Sequence, residues 1–331
     1  MNETTYDFAS AKRTFSRMGL ALSAILAIST VLQVLWFAIP AAISGEDNWA
    51  STSSWWMWLG TIVPLYMLAI PIGLMIMRKL PTQTPQDNKL SAKNFLVFVP
   101  MCICVMYGGN LIGTVLSLVL SGGTAENAVM NYAMDNSLLK VLVMVILAPL
   151  LEEYVCRKQV IDRTRQYGEK TAVFLSALVF GLLHQNLYQF FYAFGLGLIF
   201  AYIYTRTGRL RYSVLLHGFV NFLGSVVAPW LLSNVDIAAL ENLDPTASEE
   251  VIMEILAPML PGFLMFMLYA LLLIGFAVWG LVLLILKCRK LMWKQAEAQL
   301  PGGTAVKIVY LNVGMVLYIL LCIASIIIAL F

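Results

Sequence analysis

Leu151-Glu152-Glu153-Tyr154-Val155-Cys156-Arg157 ends a mostly apolar run that begins at Ser137. A charge held inside a bilayer costs a few kcal/mol even on the gentlest scale, so charges retained there usually have a task. The chain has only two histidines, His184 and His217, and both lie downstream in apolar segments of their own. Two glutamates, an arginine and two histidines thus gather where the sequence otherwise avoids polarity. The rest of the chain reads as the container for them.

That container is helical and membrane-embedded. Of 331 residues, 60% are hydrophobic and 12% are charged, about half the charge fraction of a soluble domain. Several apolar runs exceed the ~20 residues that cross a bilayer as a helix. The expected fold is all-α, a polytopic helical membrane protein of about nine transmembrane helices around a polar intramembrane cavity. The spans are 18–43, 55–77, 95–120, 138–160, 171–187, 189–206, 212–232, 256–286 and 308–330. They divide into three N-terminal spans (1–137), a core of spans four to seven (138–232), and a loop with two further spans (233–331). The first run, Met18 to Ile43, is longer than the ~7–15 residues of a signal-peptide core, so it is expected to be retained. No basic stripe interleaved with aromatics occurs, which excludes a nucleic-acid partner. Cys102, Cys104, Cys156, Cys288 and Cys322 show no disulfide-framework or zinc-knuckle spacing and read as small buried apolar residues.

Charge sets the orientation. Alternate loops hold 20 of the 21 lysines and arginines, and only Lys140 falls on the other side. The opposite loops are acidic, with Glu46, Asp47, Glu126, Asp135, Asp236, Glu241, Asp244, Glu249, Glu250 and Glu254. The excess of positive charge places the N-terminus in the cytoplasm and the C-terminus outside. Trp49, Trp55, Trp56 and Trp58 cluster at the outer end of the second span, as an aromatic belt would. In the loop 233–254, Asp244-Pro245 precedes a helix start at Ser248.

Spacing brings the polar groups together. A turn at Tyr167-Gly168 makes spans four and five a hairpin, with Glu152 and His184 each ~24 Å from the turn. His217 and Asn221, four apart, share one face of the seventh span. All four are expected in the cytoplasmic half, around a cavity open to the inside. Glu153 and Arg157, also four apart, can pair. Glu152 points a quarter turn away and is free to take or give a proton. His184 could share the water that Glu152 deprotonates, and His217 and Asn221 could meet a developing oxyanion. Each residue alone has a plainer use: an intramembrane histidine as a helix–helix hydrogen-bond donor, a Glu–Arg pair as a snorkelled surface pair, and Gly197-x-x-x-Ala201 as a packing face.

The order Glu152-Glu153-x-x-x-Arg157, Phe180-x-x-x-His184, His217-x-x-x-Asn221 resembles the signature of the CPBP family. That family comprises type II CAAX prenyl endopeptidases and bacterial bacteriocin-processing or Abi proteins. Phe194-Gly-Leu-Gly and Tyr204-Thr-Arg-Thr-Gly208 also look like it, and the likeness covers about 138–231. Two positions depart: Lys158 stands where the family often has Gly, and Cys156 where it often has Phe. The resemblance implies an intramembrane endopeptidase in a bacterial cell membrane. By motif position Glu152 and His184 activate a water, His217 and Asn221 stabilise the tetrahedral intermediate, and Glu153 and Arg157 support them. It implies no cofactor, although older descriptions call the family metalloproteases and a zinc site of Glu152, His184 and His217 is geometrically available. The implied partners are the bilayer and a membrane-associated protein or peptide substrate, either CAAX-type or a bacteriocin or pheromone precursor. Two other readings keep the same polar cavity: a non-catalytic immunity or assembly partner, and a proton-coupled transporter.

Overall fold

The computed structural model describes residues 7–45, 49–242, 244, 246, 248–296 and 298–331, and among them are helices and no strand. The principal helices are α1 (Phe8–Ser44), α2 (Ser54–Met77), α3 (Ala92–Ser121), α4 (Ala128–Met134), α5 (138–164), α6 (Glu169–Leu183), α7 (Leu187–Thr207), α8 (Leu210–Leu232), α9 (Glu249–Cys288), α10 (Gly302–Tyr310) and α11 (Val313–Ile328). The chain is an all-α, multi-pass membrane protein.

Among the described residues six helices (α1, α2, α3, α7, α8 and α9) are long and apolar enough to cross a membrane, and the pair α10–α11, bent by 67°, makes a seventh if counted as one span. The expected count of nine is not confirmed by length and composition. The two segments that fall short are α6, with 15 residues, and α5, which carries Glu152, Glu153, Arg157, Lys158, Asp162 and Arg163. These are the helices of the polar hairpin: α6 is mostly buried among its neighbours, whereas α5 keeps an exposed apolar stripe of Leu138, Leu142, Ile146 and Leu150. Helix α6 packs on α7, α7 on α3, and α5 against α6 and α8, while α1 covers α2 and α11. Gly109 and Gly113 let α3 approach α7 closely, since a Cβ at either would lie within 2.4 Å of the backbone at Tyr192 or Leu187. Gly197 does the same for α7 on α6, where a Cβ would meet Ala177 Cα at 2.9 Å, so the Gly197–Ala201 face is a packing face.

Three helices share a local defect. Ile70, Ala148 and Ala228 each precede a proline, and each donates its N–H to the carbonyl five residues back: Leu65, Val143 and Leu223. Proline lacks an N–H and its ring crowds the carbonyl four residues earlier, so the preceding turn widens. The wide turns 62–69, 141–147 and 223–227 lie on α2, α5 and α8, the helices that meet at the polar groups. Such turns are frequent at functional sites.

The basic loops converge at one end of the bundle. Asp162 Oδ2 accepts from Thr84 Oγ1 (3.0 Å) and Lys158 Nζ (2.5 Å), and its Oδ1 accepts from Tyr204 Oη (2.8 Å). The residue 78–91 segment is laid across this end: Gln83 N bonds Asp162 O (2.6 Å), Asn88 N bonds Thr207 O (2.9 Å) and Leu90 N bonds Tyr212 Oη (2.9 Å). Arg206 pairs with Glu169, and Ala298 N and Leu300 N bond Gln166 O and Tyr167 O. The polar run from Arg157 to Lys170 is largely buried in protein, with Arg157 at 0% and Asp162 at 2% exposure. At the other end Asp135 accepts from Ser54 Oγ (2.7 Å) and Trp58 Nε1 (2.8 Å). Trp58 is thus buried core, whereas Trp49 and Trp55 are exposed as a belt requires. The turn at Gly168 and the helix start after Ser248 stand where expected. Of the cysteines, Cys102, Cys156 and Cys322 are buried but Cys288, at the basic end of α9, is exposed. Glu46, Asp47 and Pro245 lie outside the described residues.

Candidate active site

Arg157 anchors the site from below. Its Nη2 donates to Glu153 Oε1 (3.0 Å) and its Nε stands 3.0 Å from Glu153 Oε2, both side chains fully buried. Nη1 donates to Ser176 Oγ (3.2 Å), whose own proton goes to Cys156 O (2.7 Å). The guanidinium lies 4.5 Å from the Phe180 ring centroid and 5.6 Å from that of Phe200. A buried charge is tolerable only when paired and hydrogen-bonded, and this one is both. Cys156 supplies a carbonyl, and Lys158 turns outward to Asp162, so the two departures from the family pattern leave the pair intact.

His217 is clamped between the two glutamates. Its Nδ1 is 3.2 Å from Glu153 Oε1 and its Nε2 is 3.7 Å from Glu152 Oε2. The ring stacks on Phe200 and meets Phe180 edge-on. Glu153, already engaged by Arg157, acts as acceptor, so Nδ1 carries the proton. In the neutral ring Nε2 then presents a lone pair beside Glu152.

His184 ends α6. Its Nδ1 is 2.8 Å from Phe180 O. A carbonyl can only accept, so Nδ1 is the donor here too, and neutral His184 also offers Nε2 as an acceptor. The next residue, Gln185, has φ +57, a left-handed conformation that is costly for a residue other than glycine and that turns the chain sharply toward α7. Asn221 sits one turn beyond His217, and its Nδ2 donates to Met144 O (2.8 Å) in the widened turn of α5.

The structure brings Glu152, His184, His217 and Asn221 together around one cavity of about 520 Å³, within the size range of ligand pockets. Glu153 and Arg157 stand behind it. The cavity also reaches Trp58, Asn127, Tyr132, Ala133 and Ala228, so it extends toward the acidic-loop end. A cavity open to the basic side was expected, but none of the lining residues comes from the 78–91 segment or the Asp162 cluster. A second chamber of about 90 Å³, lined by Ser29, Gln33 and Gln185 among others, meets Glu152 and His184 from the α1 side.

Residues 134–223 match the model of the family described as type II CAAX prenyl endopeptidase Rce1-like. This segment belongs to that family. The Rce1-like segment contains all six residues picked out by their spacing. No curated protein matches the chain, and no solved structure does. The helices on either side of the Rce1-like segment make the chain a multi-pass membrane protein.

Three groups at the site carried no sequence signal. Ser176 holds Arg157, Tyr192 lines the large cavity, and Tyr66 lines both chambers. Tyr66 lies on α2, outside the Rce1-like segment, in a span whose other residues are mostly apolar. Among the described residues no group of three or more His, Cys, Asp or Glu side chains is arranged to hold a metal ion, so Glu152, His184 and His217 do not form a ready zinc site.

Proposed function

We propose that the chain is an intramembrane endopeptidase that hydrolyses a peptide bond with a water activated by Glu152. The observation that carries this reading is the convergence of three groups on one cavity: the Glu152 carboxylate and the Nε2 atoms of His184 and His217. Water between Glu152 and His184 is held by its protons with its lone pair free. Glu152 takes one proton as the oxygen attacks the carbonyl carbon. When the C–N bond breaks, the same carboxyl returns the proton to the leaving amine. Glu153 and Arg157 fix His217, and the second N–H of Asn221 is available to the oxyanion. No step in this sequence is assigned to a metal ion.

If the basic end faces the cytoplasm, the cavity extends into the outer half of the membrane. That suits an exported, membrane-held peptide precursor better than a protein processed at the cytoplasmic face. In a cysteine-free variant, a single cysteine at Asp244 should label from outside intact cells and one at Lys89 should not. The reverse pattern would overturn this orientation. An N-terminomic comparison of membranes containing the wild type or Glu152→Gln tests the activity itself. New N-termini present only with the wild type are expected, and identical profiles would contradict proteolysis. Elemental analysis of the purified protein is expected to find no stoichiometric zinc. Zinc lost and regained together with activity would contradict the metal-free sequence of steps.

A further inference from the structure

The site is rich in acceptors and poor in donors. Glu152 accepts, and each histidine Nε2 accepts while its ring is neutral. His217 spends its Nδ1 proton on Glu153, His184 spends its own on Phe180 O, and Asn221 places one N–H on Met144 O. A tetrahedral oxyanion calls for two or more donors aimed at it, and Asn221 has one N–H left. Two phenols line the cavity within electrostatic range of Glu152: Tyr66 from α2 and Tyr192 from α7. They differ in one respect. Tyr192 Oη is already held by Gln189 Nε2 at 2.8 Å, and the Gln189 amide is tied in turn to Asn186. Tyr66 has no hydrogen bond to any described residue, and it borders both the 520 Å³ cavity and the 90 Å³ chamber. A phenol with no protein partner at a cavity wall is free to donate to a ligand there. The wide turn 62–69 before Pro71 sets its position on α2.

We infer that Tyr66 is a further catalytic residue, donating its hydroxyl to the substrate carbonyl oxygen as that oxygen becomes negative. The inference rests on the proteolytic reading above. It gives α2 a chemical part in a site whose other members all lie within the Rce1-like segment. The proton stays on the phenol: the hydrogen bond strengthens as the C–O bond loses its double-bond character and weakens again when the C–N bond breaks.

The test compares the full-length wild type, Tyr66→Phe and Glu152→Gln, each reconstituted in vesicles with a cleavable membrane peptide, and measures kcat, KM and melting temperature. Loss of one oxyanion donor should lower kcat about 10²-fold. KM should stay within about twofold, because the bond forms only in the transition state. The melting temperature should not fall, since Phe fills the same space without an unpaired hydroxyl. A Tyr66→Phe kcat within about threefold of wild type, or a raised KM at unchanged kcat, would overturn the assignment while leaving proteolysis intact provided Glu152→Gln is inactive. If Glu152→Gln cleaves like the wild type, the proteolytic reading falls and the Tyr66 inference falls with it. Should Tyr66→Phe fold poorly, Tyr66→His supplies a donor of another shape. Its recovery of kcat above a well-folded Tyr66→Leu supports donation, and equal rates for the two refute it.

Discussion

Asp162 and Glu152 stand on the same helix, ten residues apart, and the structure treats them in opposite ways. Asp162 accepts from Thr84, Lys158 and Tyr204, and its backbone carbonyl accepts from Gln83. Glu152 has a 3.7 Å contact with His217 and otherwise borders two chambers. A carboxylate whose acceptor capacity is filled by the protein can only hold structure together. One whose capacity is left open can bind water and exchange a proton with it. Glu153 lies between these extremes. It is fully buried and paired like Asp162, yet it touches His217 and so determines which nitrogen faces the cavity.

The comparison predicts where substitutions will hurt folding and where they will hurt chemistry. The largest structural effect belongs to Arg157→Ala. It leaves Glu153 buried without its partner, which should cost about 3–5 kcal/mol and most of the folded yield. An unchanged melting temperature would show that the pair is dispensable. Asp162→Ala comes next. It strands the Tyr204 hydroxyl and the Thr84 strap, and the unmade bonds should cost about 1–3 kcal/mol. Cleavage per folded molecule should be unaltered, and a loss of turnover without a loss of stability would erase the division between the two ends. The smallest effect is at the surface. Asp87 is held below the usual carboxylate range by its hydrogen bond to Arg209. A depressed carboxylate adds stability above its unfolded value and loses it as pH falls through the folded one. Wild type should therefore melt slightly above Asp87→Asn at neutral pH, and the gap should close on acidification. A gap that widens in acid would reverse the assigned sign.

The sequence made the hairpin legible because charge is rare in it. Glu152, Glu153, Arg157, His184, His217 and Asn221 stand out against apolar neighbours, and fixed helical spacing places them on matching faces. The direction of the cavity was not legible. It depends on the 78–91 segment folding back over Asp162 and Thr207, contacts between residues far apart in the chain with no local pattern. Tyr66 was hidden for a related reason. One phenol in an apolar span looks like packing until the widened turn of α2 places it beside Glu152. The span count was the least legible part: α6 is short and α5 is charged, so neither passes as a membrane span by length and composition, although α5 keeps an exposed apolar stripe of Leu138, Leu142, Ile146 and Leu150.

The central claim is that Glu152 serves chemistry and not the fold. The direct measurement is cleavage of a reconstituted membrane peptide by Glu152→Gln, with the melting temperature taken on the same preparation. Loss of a general base should slow turnover by roughly 10²–10⁴-fold while the melting temperature stays at the wild-type value. A variant that cleaves at near wild-type rate, or one that is inactive because it has unfolded, would contradict the account.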